Sequence, residues 1–125
     1  MKILPHIYYR PIEGKGRGMF TALDIEPGSL IEICPLILIP VTQSAFIDKT
    51  EIYNYYFLWN DEFIALALGY GSLYNHSNHP NAKVIFDYES QEIQFEANRL
   101  IQEGEEILID YLDGDPGLKV WFAEH

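Results

Sequence analysis

Apolar and polar residues along this chain fall into many short runs of strand type. Alternation, the two-residue period of a half-buried strand, is clearest in Lys83-Val84-Ile85-Phe86-Asp87-Tyr88 and in Glu92-Ile93-Gln94-Phe95-Glu96-Ala97. Glu89-Ser90-Gln91 stands between them as a turn, so the pair predicts a β-hairpin. Further runs of β-type composition are Gly18 to Ala22, Leu30 to Ile39, Ile52 to Trp59, Phe63 to Leu68 and Glu106 to Tyr111. Glycines and prolines separate them, as at Pro27-Gly28, Gly69, Gly71 and Gly104. Helical signal is sparse. Val41 to Tyr53 can hold one helix, capped by Thr42 or Ser44 with Ile47 and Ile52 roughly on one face, and Tyr70 to Asn75 a further turn. The pattern predicts a mainly β fold of sandwich or barrel type.

The totals narrow the class. A chain of 125 residues, 48% apolar and 22% charged, predicts one globular domain over 1–125. The longest apolar run, Leu36 to Val41, is broken by Pro40 and is far short of the ~20 residues of a membrane span. The first residues show no signal peptide, so the expectation is a soluble, cytoplasmic protein. Cys34 is the only cysteine, which leaves no intramolecular disulfide and no multi-thiolate zinc site. Nineteen acidic against eight basic residues give a net charge of −11. That charge argues against direct binding of nucleic acid, whose affinity comes from cations on phosphates, and favours encounter with a basic partner.

Three segments hold candidate chemistry. Gly14-Lys15-Gly16-Arg17-Gly18-Met19-Phe20 has the glycines that let a main chain approach a ligand, without the Lys-Ser/Thr ending of a phosphate loop. Gly69-Tyr70-Gly71-Ser72-Leu73-Tyr74-Asn75-His76-Ser77-Asn78-His79-Pro80-Asn81 is dense in side-chain donors and acceptors. Its two histidines are better read as holding a turn than as metal ligands, because no further Cys/His cluster completes a set, and no metal is expected. Glu103-Gly104-Glu105-Glu106-Ile107-Leu108-Ile109-Asp110-Tyr111 turns into a strand ending on a tyrosine, whose hydroxyl can orient or polarise an amine. Each segment alone also admits a plain structural reading: a tight turn, a satisfied loop, a core aromatic.

In this order and at these separations the three segments resemble the SET-domain lysine methyltransferases. Gly16-Arg17-Gly18-Met19-Phe20 is similar to the family's opening motif. Asn75-His76-Ser77-x-x-Pro80-Asn81 is similar to its most diagnostic one, and Gly104-Glu105-Glu106-Ile107 with Asp110-Tyr111 to its terminal one. The likeness runs from about Lys15 to Tyr111, and the lead-in Leu68 to Tyr74 with the Trp121-Phe122 end looks most like the short prokaryotic or viral SET proteins. The resemblance implies a β-clip-like SET fold with one or two short helices and a C-terminal pseudoknot that brings the second and third motifs together. It implies S-adenosylmethionine as cofactor, held by Lys15, Gly16, Arg17, Gly18, Asn75 and His76, with the 112–125 tail, through Trp121 and Phe122, covering its adenine. Tyr111 is then the catalytic residue at the mouth of a lysine channel, with Tyr70, Tyr74 and Ile109 as candidate channel residues. The implied substrate is a lysine on a basic protein such as a histone or a DNA-associated protein. A domain without flanking modules also leaves room for a homodimer to complete the groove.

The chain departs from the family pattern in places. The cysteine common after Asn-His-Ser is Asn78 here, Ile33-Cys34-Pro35 replaces a tyrosine-containing segment, and the zinc-binding flanks are missing. Ile109 stands where many relatives carry Phe or Tyr to limit methylation number. The alternative, from a different functional class, is a non-catalytic module of the same fold that binds a basic peptide.

Overall fold

The computed structural model describes residues 3–111. Among the described residues nine strands form two sheets. The first sheet has the order β1-β2-β9-β6, formed by Ile7–Ile12 (β1), Gly16–Thr21 (β2), Glu106–Ile109 (β9) and Asn75–His76 (β6). The second has the order β4-β5-β3-β8-β7, from Phe57–Leu58 (β4), Phe63–Ala67 (β5), Leu30–Pro40 (β3), Glu92–Ala97 (β8) and Ala82–Asp87 (β7). All pairings are antiparallel except β6 with β9. The mainly β architecture expected from the sequence is the one found.

Burial follows the alternation that predicted the hairpin. Ile93, Phe95 and Ala97 of β8 face inward with Ala82 and Val84 of β7, and the register runs from Ala82↔Ala97 to Asp87↔Glu92. Gln91 closes the turn with a positive φ of 55°. One core cluster draws on both sheets: Met19, Ile107 and Ile109 from the first, Ile31, Ile93 and Phe95 from the second, each buried to 0% exposure.

Four local readings need correction. β1 is absent from the strand runs read in the sequence. It carries Pro11, which has no N–H to give a ladder, and the sheet accommodates it by placing β1 at an edge. The single helix expected over Val41 to Tyr53 is instead a 3-10 turn at Val41–Gln43, one turn of α-helix at Ser44–Ile47 (α1), and a 3-10 turn at Glu51–Asn54. None of these buries a residue, and Phe46 is 73% exposed, so no apolar face holds a longer helix down. Only Phe57–Leu58 of the Ile52 to Trp59 run pairs as strand. Its first half is drawn into the turn, where the Thr50 hydroxyl accepts from the Ile52 N–H and donates to the Ile47 carbonyl. The helical turn expected at Tyr70 to Asn75 is a non-helical loop leading into β6.

The insertion of β9 between β2 and β6 matters most for the site. On one side Met19↔Ile107 and Phe20↔Glu106 pair; on the other Asn75↔Leu108 and His76↔Ile109 do. Buried Asn81 locks this arrangement. Its Nδ2 donates to the Glu106 carbonyl, and its Oδ1 accepts from the Leu108 N–H, both at 2.8 Å. These contacts join the second motif to the third, as the pseudoknot of the resemblance requires.

Candidate active site

A cleft of about 920 Å³ opens where the three motifs meet. The turn between β1 and β2 supplies Gly14 and Lys15, and the start of β2 supplies Gly16 and Arg17. The loop into β6 supplies Ser72 and Leu73, β6 itself Asn75 and His76, the end of β9 leads to Tyr111, and the second 3-10 turn adds Asn54 and Tyr55. Gly14 and Gly16 adopt φ of +82° and +79°, a conformation L side chains rarely take, and a Cβ on either would meet nothing within 4 Å. The turn therefore leaves open space on the cleft side.

Asn75 ties the three motifs with one amide group. Its Nδ2 donates to the Arg17 carbonyl (3.0 Å) in the first and to Glu106 Oε2 (2.7 Å) in the third. Gly18 makes this possible. A Cβ there would collide with Ile12 Cδ1 and stand 2.5 Å from Glu106 Oε2, so Gly18 serves close packing and does not line the cleft. Gly18→Ala is expected to push the Glu106 carboxylate off Asn75 and to lower stability by about 1.5–3 kcal/mol, the loss of one charge-assisted hydrogen bond. A thermal melt of the variant beside wild type checks this.

His76 Nδ1 accepts from the Tyr111 N–H at 3.2 Å, which assigns the ring proton to Nε2, 3.2 Å from Asn78 Oδ1. The Tyr111 ring packs edge-on to Phe57 at 6.1 Å and lies 5.3 Å from the His76 ring. Its hydroxyl donates to the Tyr74 carbonyl at 2.5 Å. Burial, then the Glu106 carboxylate and Tyr55, push that hydroxyl up to about 12, so it holds its proton throughout the neutral range.

The cleft gathers Lys15, Gly16, Arg17, Asn75, His76 and Tyr111. Tyr74 and Ile109, expected as channel residues, have their side chains in the core: Tyr74 stacks on Phe95 at 4.3 Å, and Ile109 is fully buried. Tyr70 is half-buried against Tyr9 (5.9 Å) and does not line the cleft. Trp121 and Phe122 lie outside the described residues. Asn54 and Glu106 were not among the expected site residues; the local signal around Glu106 is only a turn and a tyrosine. Tyr55 belongs with Tyr53 and Tyr56 to the tyrosines considered for the channel walls behind the favoured Tyr70 and Tyr74. Among the described residues no cluster of three or more metal-ligating side chains converges.

The SET domain family pattern matches residues 16–112. The chain belongs to the SET-domain family. A relative in Schizosaccharomyces pombe, a histone-lysine N-methyltransferase specific for H3 lysine-37, is 32% identical over 116 residues, which cover 92% of this chain and 76% of the relative. A crystallised Plasmodium falciparum protein assigned as a histone methyltransferase superposes with a TM-score of 0.71 at 31% identity. That match covers 96% of this SET domain and 99% of the other chain. Ezh2-containing apo ctPRC2 gives the same TM-score at 23% identity, over 94% of this chain and 16% of that one, a likeness of fold alone. Both named organisms are eukaryotes, so the likeness to short prokaryotic or viral SET proteins rests on the lead-in and tail residues only. No helix among the described residues is long and apolar enough to cross a membrane.

Proposed function

We infer that this cleft is the active site of a protein-lysine N-methyltransferase. The chain moves a methyl group from S-adenosylmethionine to the side-chain amine of a lysine on a basic protein. The observation that carries this reading is the Asn75 amide bridging the glycine turn and the strand that ends in Tyr111. It supports the reading because the glycine turn and the phenol then line one cleft.

The residues present fit the cofactor. The cleft is at the upper end of the size range of small-molecule sites. Lys15 and Arg17 offer cations for a carboxylate, the Gly14–Gly16 turn leaves space for close main-chain approach, and Asn75 and His76 support the amino-acid end. When bound, S-adenosylmethionine supplies a methyl group on a sulfonium, already reactive toward an amine. The chain supplies alignment, worth up to about 7–11 kcal/mol in favourable cases, and a place where the lysine is neutral. The reference pKa of ~10.4 leaves roughly one lysine in a thousand neutral near pH 7, a deficit of roughly 4 kcal/mol. Tyr55 and Tyr111 both line the cleft, and a lysine drawn in beside the half-buried Tyr111 ring loses hydration, which disfavours the ammonium. The Tyr111 hydroxyl, its proton committed to the Tyr74 carbonyl, orients the amine through its lone pairs. It is not the base, and the amine's proton leaves to solvent.

The net charge of −11 draws a basic partner, for which a histone or a DNA-associated protein is the fitting class. The test is incubation with methyl-labelled S-adenosylmethionine and core histones or other basic proteins. Label on lysine is the expected result, and calorimetry showing peptide affinity with no cofactor affinity would point to a binding module instead.

The pH dependence follows from Tyr111. Its proton is retained to about 12, so the rate is expected to rise from pH 7 to 10 as the substrate amine loses its own, with no falling limb below about pH 11. A pH–rate profile that falls below pH 10 while the fold is intact contradicts this. The sign for stability is opposite. Tyr111 and Tyr74 are both raised from the ordinary value of 10.0, mainly by burial. Their contribution is complete below pH 10 and is lost as pH climbs through the raised values, so the fold should weaken in strong alkali.

A further inference from the structure

Glu32 is an unusual occupant of β3. Its side chain is 2% exposed, yet no lysine, arginine or histidine among the described residues forms an ion pair with it. A carboxylate taken out of water without a cation is strongly unfavourable unless donors replace its hydration. The donors come largely from one loop. Oε1 accepts from the Tyr74 hydroxyl at 2.6 Å and Oε2 from the Tyr70 N–H at 2.9 Å, and the buried Cys34 stands two residues along the strand. Burial first, and this carboxylate second, push both the Cys34 thiol and the Tyr74 hydroxyl up, which keeps both protonated.

The loop is pressed onto this group. A Cβ on Gly69 would collide with Glu32 Oε2, and one on Gly71 would stand 2.9 Å from Cys34 Sγ and 2.6 Å from Ala67 Cβ. The two residues that Glu32 anchors are the ends of the Tyr70–Tyr74 segment, whose Ser72 and Leu73 line the cleft. The carbonyl of Tyr74 is the acceptor of the Tyr111 hydroxyl. A buried carboxylate thus reaches the cleft wall and the phenol through one loop, while its own side chain does not line the cleft.

We propose that Glu32 is a positioning residue for methyl transfer: by anchoring Tyr70 and Tyr74 from within the core, it sets where the Tyr111 hydroxyl and the Ser72–Leu73 wall stand. This rests on the methyltransferase reading of the site. The full chain with 3-fluorotyrosine at position 111 is compared as otherwise wild type, as Tyr74→Phe and as Glu32→Gln. Tyr74→Phe keeps the ring on Phe95 and removes the link to Glu32. The expected result is a kcat about tenfold lower, a KM for S-adenosylmethionine within about twofold, and a displaced fluorine resonance, since small misplacements of reacting groups cost rate more than affinity. Glu32→Gln, which puts an amide donor where two acceptors are needed, should show the same changes in larger measure. A role in stability alone would lower the melting temperature and leave kcat and the resonance unmoved, and that outcome overturns the proposal. If Glu32→Gln fails to fold, Tyr74→Phe decides alone. If the otherwise wild-type chain methylates nothing, the methyltransferase reading fails, while an unmoved resonance in the folded variants still overturns the role of Glu32.

Discussion

Tyr111→Phe is expected to lower kcat by about 10²–10³-fold, the usual loss when one preorganised polar group is removed from a reaction centre, with cofactor affinity changed by no more than about threefold. The ring should stay where it is, because its edge-on packing against Phe57 and its contact with His76 do not involve the hydroxyl. Removing the hydroxyl leaves the Tyr74 carbonyl without this donor, at a stability cost of about 1 kcal/mol, which a folded domain tolerates. Label transfer to a lysine substrate at saturating cofactor, with calorimetric affinity and a thermal melt on the same sample, checks all three parts. A variant that melts normally, binds cofactor and keeps its rate within about fivefold of wild type would remove Tyr111 from the reaction.

Asn81→Ala should produce the largest loss of stability of any single change considered. Asn81 is 1% exposed, and its amide satisfies the Glu106 carbonyl and the Leu108 N–H. Its main chain is also committed, donating to the Leu108 carbonyl and accepting from the Asn98 N–H. Truncation strands two backbone groups of β9 in the interior at about 1–3 kcal/mol each, so about 2–6 kcal/mol in total. For a domain of this size, with a few degrees lost per kcal/mol, the melting temperature should fall by roughly 10–20 °C. Because β9 leads directly into Tyr111 and pairs with the strand of Asn75 and His76, the remaining folded protein should also be slow. A melt within a few degrees of wild type would show that β9 is held mainly by its pairing with β2.

The comparison of Asn81 with Tyr74 shows what kind of information a sequence carries. Asn81 sits in the second motif, which the resemblance already brings to the third, although its own part in the join was not among the expectations. Tyr74 is one residue from that motif, yet nothing in its neighbours reveals which of its groups matters. Its side chain is core, and its carbonyl is what meets the Tyr111 hydroxyl. Glu105-Glu106 read as a turn into a strand for the same reason. Only the pairing of β9 beside β2 shows that Glu106, and not Glu105, turns its carboxylate to Asn75.

The sequence by itself determined the mainly β class, the β7–β8 hairpin and the three motifs with their order, because these depend on periodicity and on residue types within a few positions of one another. The tertiary structure decided the rest. It placed Pro11 in an edge strand, broke the expected helix over Val41 to Tyr53 for want of a buried face, and brought Asn54 and Tyr55 to the cleft. It also buried Glu32 beneath the loop that holds Tyr74. Each of these outcomes turns on contacts between residues far apart in the chain, where burial and hydrogen-bond satisfaction outweigh the local preference of any one segment.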